Sequence, residues 1–150
     1  MTTSSAPSVS PVVRSAKRFG YSVAAAVNGV MIFVVHNIME WELFGWLTAD
    51  FDRLVPWLTV SFVAGIVLNL VYAWDDSVPI KSPGQIMSAL VGLIVTLQTL
   101  AIFPFDFSNY DFNYALPIRI ALWVAIAGIV FGAGSETLKL AKHQKASSGS

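Results

Sequence analysis

Residues 54–74 read LVPWLTVSFVAGIVLNLVYAW, a run without a single charged side chain. A helix needs about 20 mostly apolar residues to cross the hydrocarbon core of a bilayer. The run is continuous, without the alternation of apolar and polar residues that marks a strand of a membrane barrel. Backbone groups find no water in hydrocarbon, and a helix satisfies them within one segment. This stretch therefore predicts a membrane-spanning helix.

Three further apolar runs lie on either side of this stretch, at 19–39, 86–103 and 116–138. The third run of the chain is short, but Pro83, Gly84 and Gln85 can extend it. The last contains Arg119 near its start and Glu136 near its end, and long charged side chains at such positions reach the headgroups. We predict an all-α, integral membrane four-helix bundle of up-down-up-down order. Its spans are expected at about residues 19–39, 54–74, 84–104 and 116–138.

The overall composition supports a membrane protein of one domain. The chain is 55% hydrophobic and 12% charged, whereas soluble domains carry about 25% charged residues. So few charges cannot cover a water-facing surface, and much of the surface must face lipid. We expect a domain at 14–140, between a disordered tail at 1–13 and a flexible tail at 141–150. The absence of cysteine excludes disulfides, thiolate metal sites and thiol catalysis.

Basic residues are distributed unequally between the two sides of the predicted spans. Seven lie on the side of the termini, and two lie on the other side. The seven are Arg14, Lys17, Arg18, Lys81, Lys139, Lys142 and Lys145, and the two are Arg53 and Arg119. Short loops rich in Lys and Arg stay in the cytoplasm. We therefore expect both termini in the cytoplasm and, because most acidic residues lie opposite, an acidic outer surface.

The two outer loops are rich in aromatic residues. Residues 41–57 contain three tryptophans, and residues 103–114 contain six aromatic side chains. One interpretation is an aromatic belt at the level of the lipid headgroups. The other is a folded outer cap that grips a partner, in which Gly45–Arg53 forms a short helix lying flat on the membrane.

Small residues mark one face of the fourth span. Gly128 and Gly132 form a Gly-x-x-x-Gly pair, and Ala121 and Ala125 extend it. Small side chains let membrane helices approach closely. This face either packs inside the bundle, against similar faces of the first and third spans, or joins two copies in a homodimer.

Uncharged polar residues within the spans are few. Asn28 lies near the middle of the first span and Asn69 in the inner half of the second. They are expected to form hydrogen bonds between helices, worth about 0.6 kcal/mol each, or else to line a path for a polar solute.

Four other polar residues form one candidate site, an outer polar pocket. His36 and Glu40 are four residues apart, the spacing of one helix face. Gln98 and Arg119 are expected at a similar depth in the third and fourth spans. Ionisable groups inside a membrane are often functional. The alternative is a structural clamp, in which Arg119 pairs with Glu40, Asp106 or Asp111.

The sequence contains no catalytic, cofactor-binding, metal-binding or nucleic-acid-binding motif that we recognise. We expect a non-catalytic accessory or scaffold subunit in the bilayer, in contact with another membrane protein or a second copy. The alternative is a small oligomeric transporter or channel for an ion or small solute. Small size and the absence of eukaryotic targeting signals fit a bacterial inner membrane.

The length and the number of spans are similar to those of the small multidrug resistance family. That resemblance is one of architecture and implies a four-helix fold. Those transporters depend on a membrane-embedded glutamate in the first helix, whereas this chain has Asn28 near that depth. The resemblance therefore does not extend to proton coupling.

Overall fold

The chain folds into four long α-helices in a computed structural model that describes residues 11–75, 77–112 and 114–148. The helices are α1 (Pro11–Asn37), α2 (Val55–Trp74), α3 (Val78–Ile102) and α4 (Ala115–Ser148). A short 3-10 helix, Ala49–Arg53, lies between α1 and α2. All four α-helices are long and apolar enough to cross a membrane. The predicted all-α fold with four spans is confirmed.

Two helix ends differ from the predicted boundaries. α1 begins at Pro11, so residues 11–13 are helical rather than part of a disordered tail; proline suits the first turn because its missing N–H has no partner there anyway. α4 continues to Ser148, so residues 141–148 are helical rather than a flexible tail. Leu, Lys, Ala and Gln favour helix, and neither Gly nor Pro interrupts residues 135–148. Residues 1–10 and 149–150 lie outside the described residues.

The helices pack in chain order. α1 contacts α2, α2 contacts α3, and α3 contacts α4. Among the described residues, no Cα atom of α1 comes within 8 Å of one in α4. Each terminal helix of the bundle therefore has one helical neighbour and presents the rest of its surface outward.

The two ends of the bundle differ in chemistry. The start of α1, the end of α2 and the start of α3 meet at one end, which carries Arg14, Lys17, Arg18 and Lys81. We call this the basic end. Residues 38–54 and 103–112 cover the opposite end, and we call them the cap.

Burial is concentrated under the cap. Val35, Phe51 and Leu54 form a buried cluster there, surrounded by apolar side chains that include Leu47 and Ile102. Within the most apolar part of each span, at most 6% of the residues are buried. Most apolar side chains of the spans thus point away from the protein, as expected when lipid covers them.

Candidate functional site

His36 and Glu40 were predicted to lie on one face of α1, but only His36 belongs to that helix. α1 ends at Asn37, so Glu40 lies in the following turn and does not share a helix face with His36. Both side chains are exposed. His36 Nδ1 lies 2.8 Å from the carbonyl oxygen of Ile32, and because a carbonyl accepts, that nitrogen is the donor.

Arg119 has an aromatic neighbour instead of the expected carboxylate. Its Cζ lies 4.2 Å from the ring centroid of Phe103. In the described part of the chain, no carboxylate oxygen lies within 4.0 Å of an Arg119 nitrogen, so the expected ion pair is absent. Gln98 is half-buried on α3, and its place in a shared pocket with His36, Glu40 and Arg119 stays a prediction.

The two asparagines of the first two spans both bond within their own helices, and Asn28 also faces α2. Asn28 Nδ2 donates to the carbonyl of Ala24 at 2.7 Å, and Asn69 Nδ2 donates to the carbonyl of Gly65 at 2.8 Å. Each amide therefore bonds to its own helix, rather than across helices as expected. Asn28 also occupies the space beside Gly65, where a Cβ atom would lie 2.6 Å from Asn28 Oδ1. Asn28 and Gly65 thus set the distance between α1 and α2.

The cap is a folded unit, joined by backbone hydrogen bonds between its two loops. Leu47 and Phe105 form an antiparallel bridge. The N–H of Thr48 donates to the carbonyl of Pro104 at 2.9 Å, and the N–H of Asp106 donates to the carbonyl of Trp46 at 2.8 Å. The 3-10 helix lies within the predicted Gly45–Arg53 segment, and Phe51 anchors it to the buried cluster.

Aromatic rings reinforce this pairing. Trp46 lies between the loops, with ring centroids 5.7 Å from Phe105 and 6.1 Å from Phe107. Phe107 also contacts Tyr110 and Tyr114 at 6.2 and 5.6 Å. Such pairs contribute about 0.5–1.5 kcal/mol beyond area burial when they pack well. Trp46, Phe105, Phe107, Tyr110 and Tyr114 therefore belong to one connected network. The aromatic belt at the headgroups stays a prediction.

An open cavity of about 530 Å³ lies between the cap and the start of α4. Its lining is mainly aromatic and apolar, and it includes Trp46, Tyr110 and Ala121.

Asp106, at the edge of the cap, accepts a hydrogen bond from the N–H of Ser108 at 2.9 Å. The backbone and side-chain hydrogen bonds from Ser108 lower the pKa of the Asp106 carboxyl, because they favour its charged form.

The small-residue face of α4 is exposed. α4 turns Leu122, Ile126 and Ile129 partly inward, while Ala121, Ala125, Gly128 and Gly132 are all exposed. Beyond its chain neighbours and the nearby backbone of α4, a Cβ atom added at Gly128 or Gly132 would meet no atom of the described chain within 4 Å. The role of this face in helix packing therefore stays a prediction, now for a contact outside the chain.

A second cavity, of about 420 Å³, separates α3 from α4 towards the basic end. Gln85, Ser88 and Gly92 line it from α3, and Gly132 and Ser135 line it from α4. Gly92 contacts α4, since a Cβ there would lie 3.9 Å from Ile129 Cδ1. α3 and α4 thus pack at Gly92 and Ile129, and the cavity opens between them near Gly132.

Sequence reasoning missed a tyrosine–lysine cluster at the basic end. Lys81 Nζ donates to the Tyr21 hydroxyl at 3.0 Å, and the Tyr72 hydroxyl donates to the Lys81 carbonyl at 3.2 Å. The rings of Tyr21 and Tyr72 lie 5.7 Å apart. Lys81 is the one basic residue in the predicted loop between the second and third spans, which is the signal that could have singled it out. The cluster joins α1, α2 and α3.

Four spanning helices, lipid-facing side chains and a folded cap define the chain as a multi-pass membrane protein. No protein-family model, curated protein or solved structure matches it. The function must therefore be argued from the residues themselves.

Proposed function

We propose that this protein is a non-catalytic accessory or scaffold subunit that packs against another membrane protein through α4 and presents its cap outside the bilayer. The observation that carries the proposal is the exposed small-residue face of α4. α4 has one helical neighbour in the described chain, and Gly128 has no neighbouring atom where its Cβ would be.

The physical basis is the way membrane helices associate. Lipid tails are as apolar as leucine side chains, so helices associate through close backbone packing and interhelical hydrogen bonds. A face of Ala121, Ala125, Gly128 and Gly132 costs little side-chain entropy to bury and lets a partner backbone approach. The cap supports the same role, because a paired, aromatic surface is preorganised for contact.

The test is affinity purification of a C-terminally tagged chain in mild detergent, followed by mass spectrometry. We expect a larger membrane protein in stoichiometric amount. Gly128→Leu should release it, because the larger side chain separates the two backbones. Ala127→Leu is the matched control, since it adds a leucine at an exposed position about 100° around the helix.

The competing function is a small oligomeric transporter, favoured by three polar side chains in the lining of the α3–α4 cavity. Gln85, Ser88 and Ser135 would face a solute there. Recovery of a homo-oligomer without a larger partner would support this alternative. Retention of the larger partner by Gly128→Leu, at the level of Ala127→Leu, would contradict the α4 contact.

We further propose that the basic end faces the cytoplasm of a bacterial cell, with the chain in the inner membrane. The support is the distribution of Lys and Arg, seven against two. Reporter fusions after Ser150 and between Asp106 and Tyr114 test this orientation. A periplasm-active reporter that works after Ser150 and is silent between Asp106 and Tyr114 would contradict this orientation.

A further inference from the structure

The basic end contains a polar cavity of about 270 Å³ between the start of α1 and the end of α2. Arg14, Lys17, Arg18 and Tyr21 line it from α1. Their spacing of three, four and seven residues places all four side chains on one face of the helix. α2 contributes Tyr72 and Asp75 to the opposite wall.

The described lining carries a net positive charge. Arg14, Lys17 and Arg18 supply three positive charges, and Asp75 supplies the one negative charge among the described lining residues. Asp75 Oδ1 accepts a hydrogen bond from the N–H of Ser77 at 2.9 Å, which holds it at the α2–α3 turn. Neither Arg14 nor Arg18 lies within 4.0 Å of a carboxylate oxygen in the residues that the structure describes. Two guanidinium groups thus share a cavity with an acid and do not pair with it.

The base of the cavity is held in place before any ligand binds. Tyr21 and Tyr72 pack against each other there, and their hydroxyl groups are tied to Lys81 of α3. Lys81 Nζ lies 5.6 Å from the centroid of the Tyr21 ring and brings a further positive charge next to the cavity. A ligand would therefore meet hydrogen-bonding groups fixed by three helices, which reduces the entropy lost on binding.

We propose that this cavity binds a phosphate ester, supplied by the headgroup of an anionic phospholipid in the adjacent leaflet. Guanidinium groups recognise phosphate oxygens through paired hydrogen bonds. Basic pockets between membrane helices bind acidic headgroups in this way. Trp74 lines the rim and is 87% exposed, the position of an aromatic residue at headgroup level. The acyl chains would lie along the lipid-facing sides of α1 and α2.

The test uses the full-length chain in neutral detergent, with binding measured by native mass spectrometry and thermal unfolding. Phosphatidylglycerol should bind saturably and raise the unfolding temperature, whereas phosphatidylcholine should not. Arg14→Gln and Arg18→Gln should each weaken binding of phosphatidylglycerol about fivefold, since each removes one charge near the surface. Arg53→Gln is the matched control, because this arginine lies in the cap.

A second variant is expected to strengthen the binding of phosphatidylglycerol instead of weakening it. Asp75→Asn keeps an oxygen to accept the Ser77 N–H but removes the opposing charge, so binding should strengthen. This result stands on its own if the arginine variants do not fold. Inorganic phosphate, at matched ionic strength, distinguishes a lipid headgroup from free phosphate as the ligand. If inorganic phosphate alone raises the unfolding temperature of the wild type as much as phosphatidylglycerol does, and does not raise that of the arginine variants, the site binds free phosphate and not a lipid.

Three results would overturn the proposal. The first is equal binding of phosphatidylglycerol and phosphatidylcholine. The second is equal binding of phosphatidylglycerol by Arg14→Gln, Arg18→Gln and Arg53→Gln. The third is unchanged or weaker binding by Asp75→Asn.

Discussion

The guanidinium group of Arg119 lies over the ring of Phe103, with Cζ 4.2 Å from the ring centroid. Phe103 ends α3 in the left-handed region, at φ 44° and ψ 68°, which is unfavourable for a residue with a Cβ atom. Its ring also contacts Phe105 edge-on at 5.3 Å. The contacts with Arg119 and Phe105 offset this backbone strain and connect α3, α4 and the cap.

The first prediction is that Arg119 is energetically coupled to Phe103 and not to Glu40. In a double-mutant cycle of Arg119→Gln and Phe103→Leu, we expect a coupling of about 0.5–1 kcal/mol, the range for exposed cation–π pairs. The effects of Arg119→Gln and Glu40→Gln on the free energy of unfolding should add without coupling. Unfolding by sodium dodecyl sulfate in mixed micelles measures the free energies for both cycles. A stronger coupling of Arg119 to Glu40 than to Phe103 would contradict this prediction and support the ion-pair clamp.

The second prediction concerns the α1–α2 contact. Gly65→Ala should lower the free energy of unfolding by about 1–3 kcal/mol, because its Cβ would overlap the Asn28 amide. That amide is held by its hydrogen bond to Ala24, so it does not move aside without loss. Gly29→Ala is the control, since a Cβ there meets no described atom within 4 Å. Adding Asn28→Ala to Gly65→Ala should recover stability, and failure to do so would contradict the overlap.

The third prediction is a stabilising substitution in the cap. Within the described residues, the buried Thr48 hydroxyl has no hydrogen-bond partner, and such a group costs about 1–3 kcal/mol. Thr48→Val keeps the shape and should raise the free energy of unfolding by about 1 kcal/mol. Thr99→Val provides the comparison, because the Thr99 hydroxyl donates to the Val95 carbonyl at 2.9 Å. Equal effects at both positions would contradict the explanation.

The fourth prediction is that Trp46 holds the two loops of the cap together. Trp46→Ala should speed hydrogen exchange at the amides of Thr48 and Asp106, which bond across the loops. Trp41→Ala should not, because Trp41 is 42% exposed and contacts Phe33 of α1. Unchanged exchange in Trp46→Ala would show that the backbone bridge persists without the ring.

The spans could be predicted because hydrocarbon imposes a length and a composition that sequence displays directly. The end of α1 could not, since residues 38–42 leave the helix through turns and Glu42 adopts φ 49°. Pairing of Leu47 with Phe105 joins positions far apart in sequence. No local pattern encodes such a pairing.

The candidate site was harder to predict than the fold. Depth along each helix was inferred for His36 and Arg119, but depth does not fix which helices are neighbours. α1 and α4 do not meet in the described residues, so equal depth does not by itself make His36 and Arg119 neighbours. Likewise the small face of α4 was visible in the sequence, whereas its exposure depended on the direction in which α4 turns its isoleucines.

The packing of each helix against the preceding one bears on how the protein is made. Each span after the first finds its docking surface already inserted when it leaves the ribosome, because the helix it packs against was synthesised just before it. Contacts between helices close in sequence cost little loop entropy and form early. Assembly can then proceed stepwise from the first hairpin, formed by α1 and α2.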